Sequence, residues 1–225
     1  CLVRVEKSTM ASAKDFVHLH NHTEYSLLDG AQSHKEMASA LEEIGQDALA
    51  MTDHGNVFGA YSFYKTLTKA GKKPIIGVEA YVAPQSRFHK KPVFWGPGGK
   101  RAAKDADGES GDVSGNGAYT HLTLLAKNAA GLRAIYELTS RSFMEGQYPR
   151  PKGRMDRELL TEIIGKYGQN IIASTGCPGG EIQTRIRLNQ HEQAREAAGF
   201  YQDLFGKENY FLELMDHGLA VEKRT

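Results

Sequence analysis

Short runs of apolar and β-branched residues alternate with longer stretches of helical periodicity, and this alternation restricts the fold more than any other feature of the chain. The strand-like runs are 16–22 (FVHLHNH), 48–52, 74–83, 119–126, 170–174 and 210–215. The helical stretches are 34–45, 59–70, 132–142, 157–167 and 180–205. In the first, Met37, Leu41 and Ile44 form one apolar stripe, Ser33 and Glu36 are spaced as a capping box, and Gly45 is a natural stop. Six β-then-α units predict an α/β fold with a parallel sheet and right-handed crossovers, either open and doubly wound or closed into a barrel. Residues 84–118 break the rhythm with prolines, glycines and a cluster of cations: Arg87, Lys90, Lys91, Lys100, Arg101 and Lys104. This stretch reads as a long surface insertion, and long loops in compact domains often carry function. A second basic stretch follows near Arg150, Lys152 and Arg154.

Most of the predicted strands carry or finish in polar residues. The first ends His20, Asn21, His22, with Asp29 in the loop beyond; the second ends Asp53, His54. Glu79 lies in the third, His121 in the fourth, Cys177 follows the fifth, and Asp216 and His217 follow the sixth. Functional residues at the ends of successive strands are the pattern of a β/α barrel, whereas an open sheet gathers its ligands at one switch point. Along a strand, side chains at i and i+2 share a face, so His18, His20 and His22 share one, and two imidazoles at i and i+2 can address one ion. Asp29 and Glu79 add carboxylates able to bridge two metals. The mixed N, O and S set suits Zn²⁺, or Mn²⁺ and Fe where oxygens dominate. Two or three such ions about 3.5–4 Å apart are the device of phosphoester-cleaving enzymes.

Taken singly, each residue has an ordinary explanation. His121 fits a core histidine, Cys177 a small buried hydrophobe, and Asp53 a helix cap or a support for His54. His34, His89 and His191 lie in polar surroundings and read as solvated. Glu79 is harder to set aside, because an unpaired buried carboxylate is costly. Their joint occurrence at successive strand ends points to one polynuclear metal site.

Composition narrows the remaining classes. With 28 Lys and Arg against 27 Asp and Glu the formal charge is +1, which argues against a tail-driven polyanion binder but leaves room for a local basic patch. The two cysteines, Cys1 and Cys177, give no disulfide framework and no paired metal knuckle, as expected of a reducing, cytoplasmic setting. No apolar run is long enough to span a bilayer, and the first ten residues lack the apolar core of a signal peptide. Met10 reads as the natural start, with residues 1–9 as an extension.

The strings FVHLHNHTEYSLLDG (16–30), MTDHGN (51–56), PIIGVEAYVAP (74–84), YTHLTLLAKN (119–128), STGCPGGE (174–181) and YFLELMDHG (210–218) resemble the PHP (polymerase and histidinol phosphatase) domain. Within it they are most similar to the domain at the N-terminus of bacterial DNA polymerase III alpha subunits, actinobacterial ones in detail. The resemblance covers about residues 15–225 and implies a distorted (β/α)7 TIM-like barrel holding two to three divalent ions, Zn or Mn, or Fe. It implies His20, His22, Asp29, His54, Glu79, His121 and Cys177 as metal ligands, with His20, His22, Asp29 and Glu79 closest to the chemistry and His18 in support. The implied activity is a 3′→5′ exonuclease within a Mg-dependent polymerase (a nucleotidyltransferase). The implied partners are the DNA primer 3′ end, the rest of the polymerase chain, and replisome subunits such as the sliding clamp. A histidinol-phosphatase-like phosphoesterase and a non-catalytic module are the alternatives. One departure stands out: the family takes its last two ligands from an Asn-Asp-x-His segment on a seventh strand, and no such segment occurs in these 225 residues. Asp216 and His217 belong to the sixth strand's own motif. The chain therefore reads as a partial PHP domain over 10–225, with the insertion at 84–118, and as unable to polymerise DNA by itself.

Overall fold

The computed structural model describes residues 16–103, 111–148 and 152–225; residues 1–9 and Met10, Lys104 and Arg150 lie outside them. The elements follow in the order α1 (His34–Ile44), β1 (Ala48–Met51), α2 (Ala60–Lys69), β2 (Lys73–Val82), α3 (Ser114–Gly117, a single turn), β3 (Thr120–Ala126), α4 (Ala129–Glu145), β4 (Arg154–Met155), α5 (Arg157–Tyr167), β5 (Ile171–Ser174), α6 (Glu181–Arg187), α7 (His191–Phe205) and β6 (Tyr210–Phe211).

Helix ends follow local chemistry. The Ser33 and Glu36 capping box opens α1, and Gly45, at φ 71°, closes it in the left-handed region that favours glycine. Asn128 caps α4 through the amides of Ala130 and Gly131, and Asp156 caps α5 through that of Leu159.

β2 is the spine of the six-stranded sheet. Its first half pairs parallel with β1 and its last two residues with β4, while β3 runs antiparallel along Gly77–Val82. β5 is antiparallel to β3, and β6 is parallel to β5. The α/β class therefore holds, but the sheet is mixed, not all parallel as the alternation predicts. The insertion between β2 and β3 removes the helical crossover that a parallel pair requires and lets the two strands lie antiparallel.

Four further expectations are corrected. The first predicted strand reduces to one parallel bridge, His18 to Leu49, and the sixth to two residues. The helix over 180–205 is two helices, broken at Asn189, whose φ is 56°. His34 is not solvated: it is 5 % exposed, its Nδ1 lies 2.7 Å from Ser62 Oγ, and its ring stacks on Tyr25.

Strand alternation divides the sheet into two faces. Val78, Ala80, Val82, Leu122, Leu124, Ile171 and Ala173 point into a core built with α4, α5 and α7. Met37, Leu41, Leu49, Met51, Phe63 and Leu67 form a second core between α1, α2 and β1. Each large apolar side chain so buried stabilises the fold by about 1.5–3 kcal/mol. The opposite face of β2, β3 and β5 carries a cross-strand row of polar residues: Glu79 is opposite Thr123, Thr123 opposite Ser174, and Tyr81 opposite His121.

The insertion is pinned by buried polar groups. Arg87 is 4 % exposed and pairs with Asp156 at 2.8 Å, Glu145 at 2.6 Å and Glu158 at 3.2 Å. Arg154, 1 % exposed, donates to the carbonyls of Gly146, Ala118, Arg87 and His89. Asp112 accepts from the amides of Trp95, Gly96, Ala102 and Val113. Arg87 and Arg154 are therefore structural cations, contrary to their reading as surface basic residues.

Candidate metal centre

Glu79 is the middle of the site. It is 1 % exposed on the polar face of β2, and four histidines surround its carboxylate. Oε1 lies 2.6 Å from His121 Nδ1 and 3.4 Å from His20 Nε2; Oε2 lies 2.5 Å from His54 Nδ1 and 3.5 Å from His22 Nε2. Cys177 Sγ is 3.1 Å from both Glu79 Oε1 and His121 Nδ1.

Each ligand-type residue is delivered by a short local device. The 18–22 segment runs beside β1, with Ala50 N donating to His18 O and Thr52 N to Asn21 O. Beyond His18 the regular strand lapses, so the expected common face is lost. His20 and His22 turn inward, while His18 is exposed and stacks edge-on with Phe16.

Asp29 comes from a turn held by Asp53, whose buried carboxylate accepts from Thr23 N, Thr23 Oγ1 and Ser26 Oγ. Gly30 closes the turn where a Cβ would lie 1.9 Å from Thr23 O. The turn brings Asp29 Oδ2 to 2.8 Å from His54 Nε2, with the Asp29 side chain 51 % exposed at the mouth of the site. Asp53 thus acts on the loop, neither capping a helix nor touching the His54 ring. Cys177 follows β5 in a turn in which Gly180 N donates to Cys177 O and His121 N to Gly179 O.

The seven side chains form three overlapping groups whose donor atoms lie within 4.8 Å of one another: His20, His22 and Glu79; His22, Asp29 and His54; Glu79, His121 and Cys177. Glu79 and His22 each belong to two groups, so each is placed to join neighbouring positions. His22 Nδ1, His54 Nδ1, Glu79 Oε2 and His121 Nε2 are buried without a hydrogen-bond partner. Unpaired buried polar atoms are costly. The donor set around them fits divalent transition ions.

Without an ion, electrostatics spreads protons over the cluster. Burial alone would raise Glu79, but His121, His20 and His54 outweigh it and hold the carboxyl well below its usual range. Burial works against His20 too, yet Glu213 and Glu79 bring it up to about 10. Burial lowers His22. His54 is raised because Glu79 and Asp29 outweigh its burial. Burial, with the Glu79 charge, pushes the Cys177 thiol up, so holding a metal would require it to lose a proton.

Sequence reasoning missed Glu213, which stands against the far side of His20 and accepts from Ser174 and Thr123. Its signal was the one that singled out Glu79: a lone carboxylate inside an apolar run, here YFLELM. It also missed Lys152, whose Nζ donates to Tyr81 OH at 2.7 Å and lies over the Tyr81 ring, itself parallel to the His54 ring. Asp216 and His217 stay out of the site; both are exposed, and His217 pairs with Glu222. Of the insertion cations, Lys90 Nζ donates to the carbonyls of Arg87 and Glu145, and Lys91, Lys100 and Arg101 are exposed.

A family profile described as the PHP domain matches residues 18–217. The chain is 59 % identical over 208 residues to the DNA polymerase III subunit alpha of Saccharopolyspora erythraea, 51 % over 218 residues to that of Mycobacterium tuberculosis, and 41 % over 218 residues to that of Thermus aquaticus. These matches take in 92 %, 97 % and 96 % of this chain, but only 17 %, 17 % and 16 % of those proteins. The chain thus spans about one-sixth of the length of these relatives.

Proposed function

The chain belongs to the PHP domain family, and on that premise we propose that it is the metal-dependent phosphodiesterase part of a DNA polymerase III alpha subunit, a 3′→5′ exonuclease acting on the primer end. The observation that carries this reading is the set of three donor groups sharing Glu79 and His22.

His20, His22, Asp29, His54, Glu79, His121 and Cys177 would hold two to three divalent ions. Such ions supply Lewis acidity toward a phosphate and lower the pKa of water. The chain's own residues set where that chemistry occurs. Glu79, enclosed by histidines, fixes the spacing of neighbouring positions. Asp29, half-exposed, marks the open side from which a phosphodiester enters. The His54 ring is held between Asp29 and Glu79, so its two nitrogens face different donor groups. Lys91, Lys100 and Arg101 are exposed cations of the insertion that would meet DNA phosphates. No helix among the described residues is long and apolar enough to cross a membrane. A cytoplasmic replisome, with the rest of the polymerase chain, Mg for polymerisation and the sliding clamp as partners, belongs to the same reading.

A non-catalytic module is the second reading. The test is to dialyse the chain against Mn²⁺ or Zn²⁺, count the ions by elemental analysis, and follow a 3′-labelled oligonucleotide. Weak uptake of ions with little 3′ degradation, both lost in His22→Ala and Asp29→Ala, is expected. Uptake without degradation favours the non-catalytic reading, release of phosphate from histidinol phosphate a small-molecule phosphatase, and no uptake overturns the metal centre.

A further inference from the structure

We propose that Glu213 is a positioning residue for the metal centre: it orients the His20 ring and fixes its tautomer, so that Nε2 is presented as a ligand. The proposal rests on the metal-centre reading above. The two ring nitrogens of His20 face two different carboxylates. Nε2 faces Glu79 at 3.4 Å, inside a ligand-type group; Nδ1 faces Glu213 Oε1 at 2.5 Å, outside all three groups. An imidazole that donates Nδ1–H to a carboxylate keeps its lone pair on Nε2. Such an outer carboxylate both aims the ring and strengthens it as a ligand.

Glu213 is itself fixed from three sides. Its Oε2 accepts from Ser174 Oγ on β5 and from Thr123 Oγ1 on β3, and its backbone N donates to Thr175 Oγ1 at 2.9 Å. Thr123 and Ser174 are register partners in the row that begins with Glu79. The sheet therefore places both carboxylates against one imidazole. With Oε2 taken by two hydroxyls, Oε1 is left to His20, whose other neighbour there is Thr123 Oγ1 at 3.2 Å. The Glu213 side chain is 16 % exposed, enough burial for its charge to be felt by the ring.

The experiment measures Co²⁺ affinity by chelator competition, together with the visible Co²⁺ spectrum, for the wild-type chain, Glu213→Gln and Glu213→Leu. Glu213→Gln keeps shape and an acceptor and removes only the charge; Glu213→Leu removes both. Loss of affinity by 10–100-fold in Glu213→Leu, with a smaller loss in Glu213→Gln, is expected. The spectrum should change in both. If Glu213→Leu misfolds, Glu213→Gln alone decides. Variants that bind Co²⁺ like the wild type, with the same spectrum, overturn the role of Glu213 and leave the metal centre standing. A wild-type chain that takes up no Co²⁺ overturns the metal reading itself.

Discussion

Glu79 Oε2 and His54 Nδ1 lie 2.5 Å apart, yet both atoms lack a hydrogen-bond partner of proper alignment. Since Glu79 serves two of the three donor groups, Glu79→Gln should leave only the His22, Asp29 and His54 group able to hold an ion. Elemental analysis after dialysis against Mn²⁺ should fall to one ion or fewer per chain; an unchanged count would refute the shared role.

Metal uptake should release protons. In the ion-free chain His20 is raised to about 10, so at pH 7–8 it carries the proton that a ligand nitrogen must lose. Affinity should therefore rise with pH. Calorimetric titrations in two buffers of different ionisation enthalpy should differ, with at least one proton released per chain. The same shift fixes the sign for stability. A group raised on folding stabilises fully below its unfolded pKa, near 6.5, and that contribution fades as pH climbs through about 10. Urea midpoints of the ion-free chain should accordingly decline between pH 8 and 10.

Arg154 holds four carbonyls drawn from three loops and is almost wholly buried. Removing the guanidinium strands those acceptors without water. Arg154→Met should destabilise the chain by about 4 kcal/mol, at the scale of losing several hydrogen bonds to a buried charge. A shift in urea midpoint equivalent to under about 1 kcal/mol would show that the loops do not depend on it.

Gly30 offers a test of loop placement separate from ligand identity. A methyl group there would meet Thr23 O at 1.9 Å, forcing the 23–30 turn, and Asp29 with it, away from His54. Gly30→Ala should weaken metal uptake by about 10-fold, on the scale of other changes outside the ligand set. The Glu79, His121 and Cys177 group is untouched, so its ion should stay. Wild-type affinity at every position would mean that the turn does not set Asp29.

The sequence made legible what local rules govern. The Ser33 capping box, the Gly45 stop and the α5 span all depend on neighbours within a turn, and α1 buries Met37 and Leu41 as its periodicity predicts. The seven ligand-type residues were legible because each breaks its surroundings: a carboxylate in an apolar strand, or histidines at strand ends. Strand direction was not, because a long insertion hides whether a crossover exists. Arg87 illustrates the harder failure. Its loop is rich in cations, but its partners Glu145 and Asp156 arrive from helices about 60–70 residues away. Glu213 was hidden similarly, since what it does is apparent only once β3, β5 and the His20 segment are side by side.

The site joins the two ends of the described chain. His20 meets Glu213 across 193 residues, and Cys177 meets Glu79 across 98. Contacts so distant are entropically the last to be won in folding. A ribosome must therefore deliver nearly all of this sequence before the centre can assemble. An ion that binds only the assembled form then adds its binding free energy to the whole chain. Metal affinity would then report on complete folding, because a half-made chain lacks His121, Cys177 and Glu213.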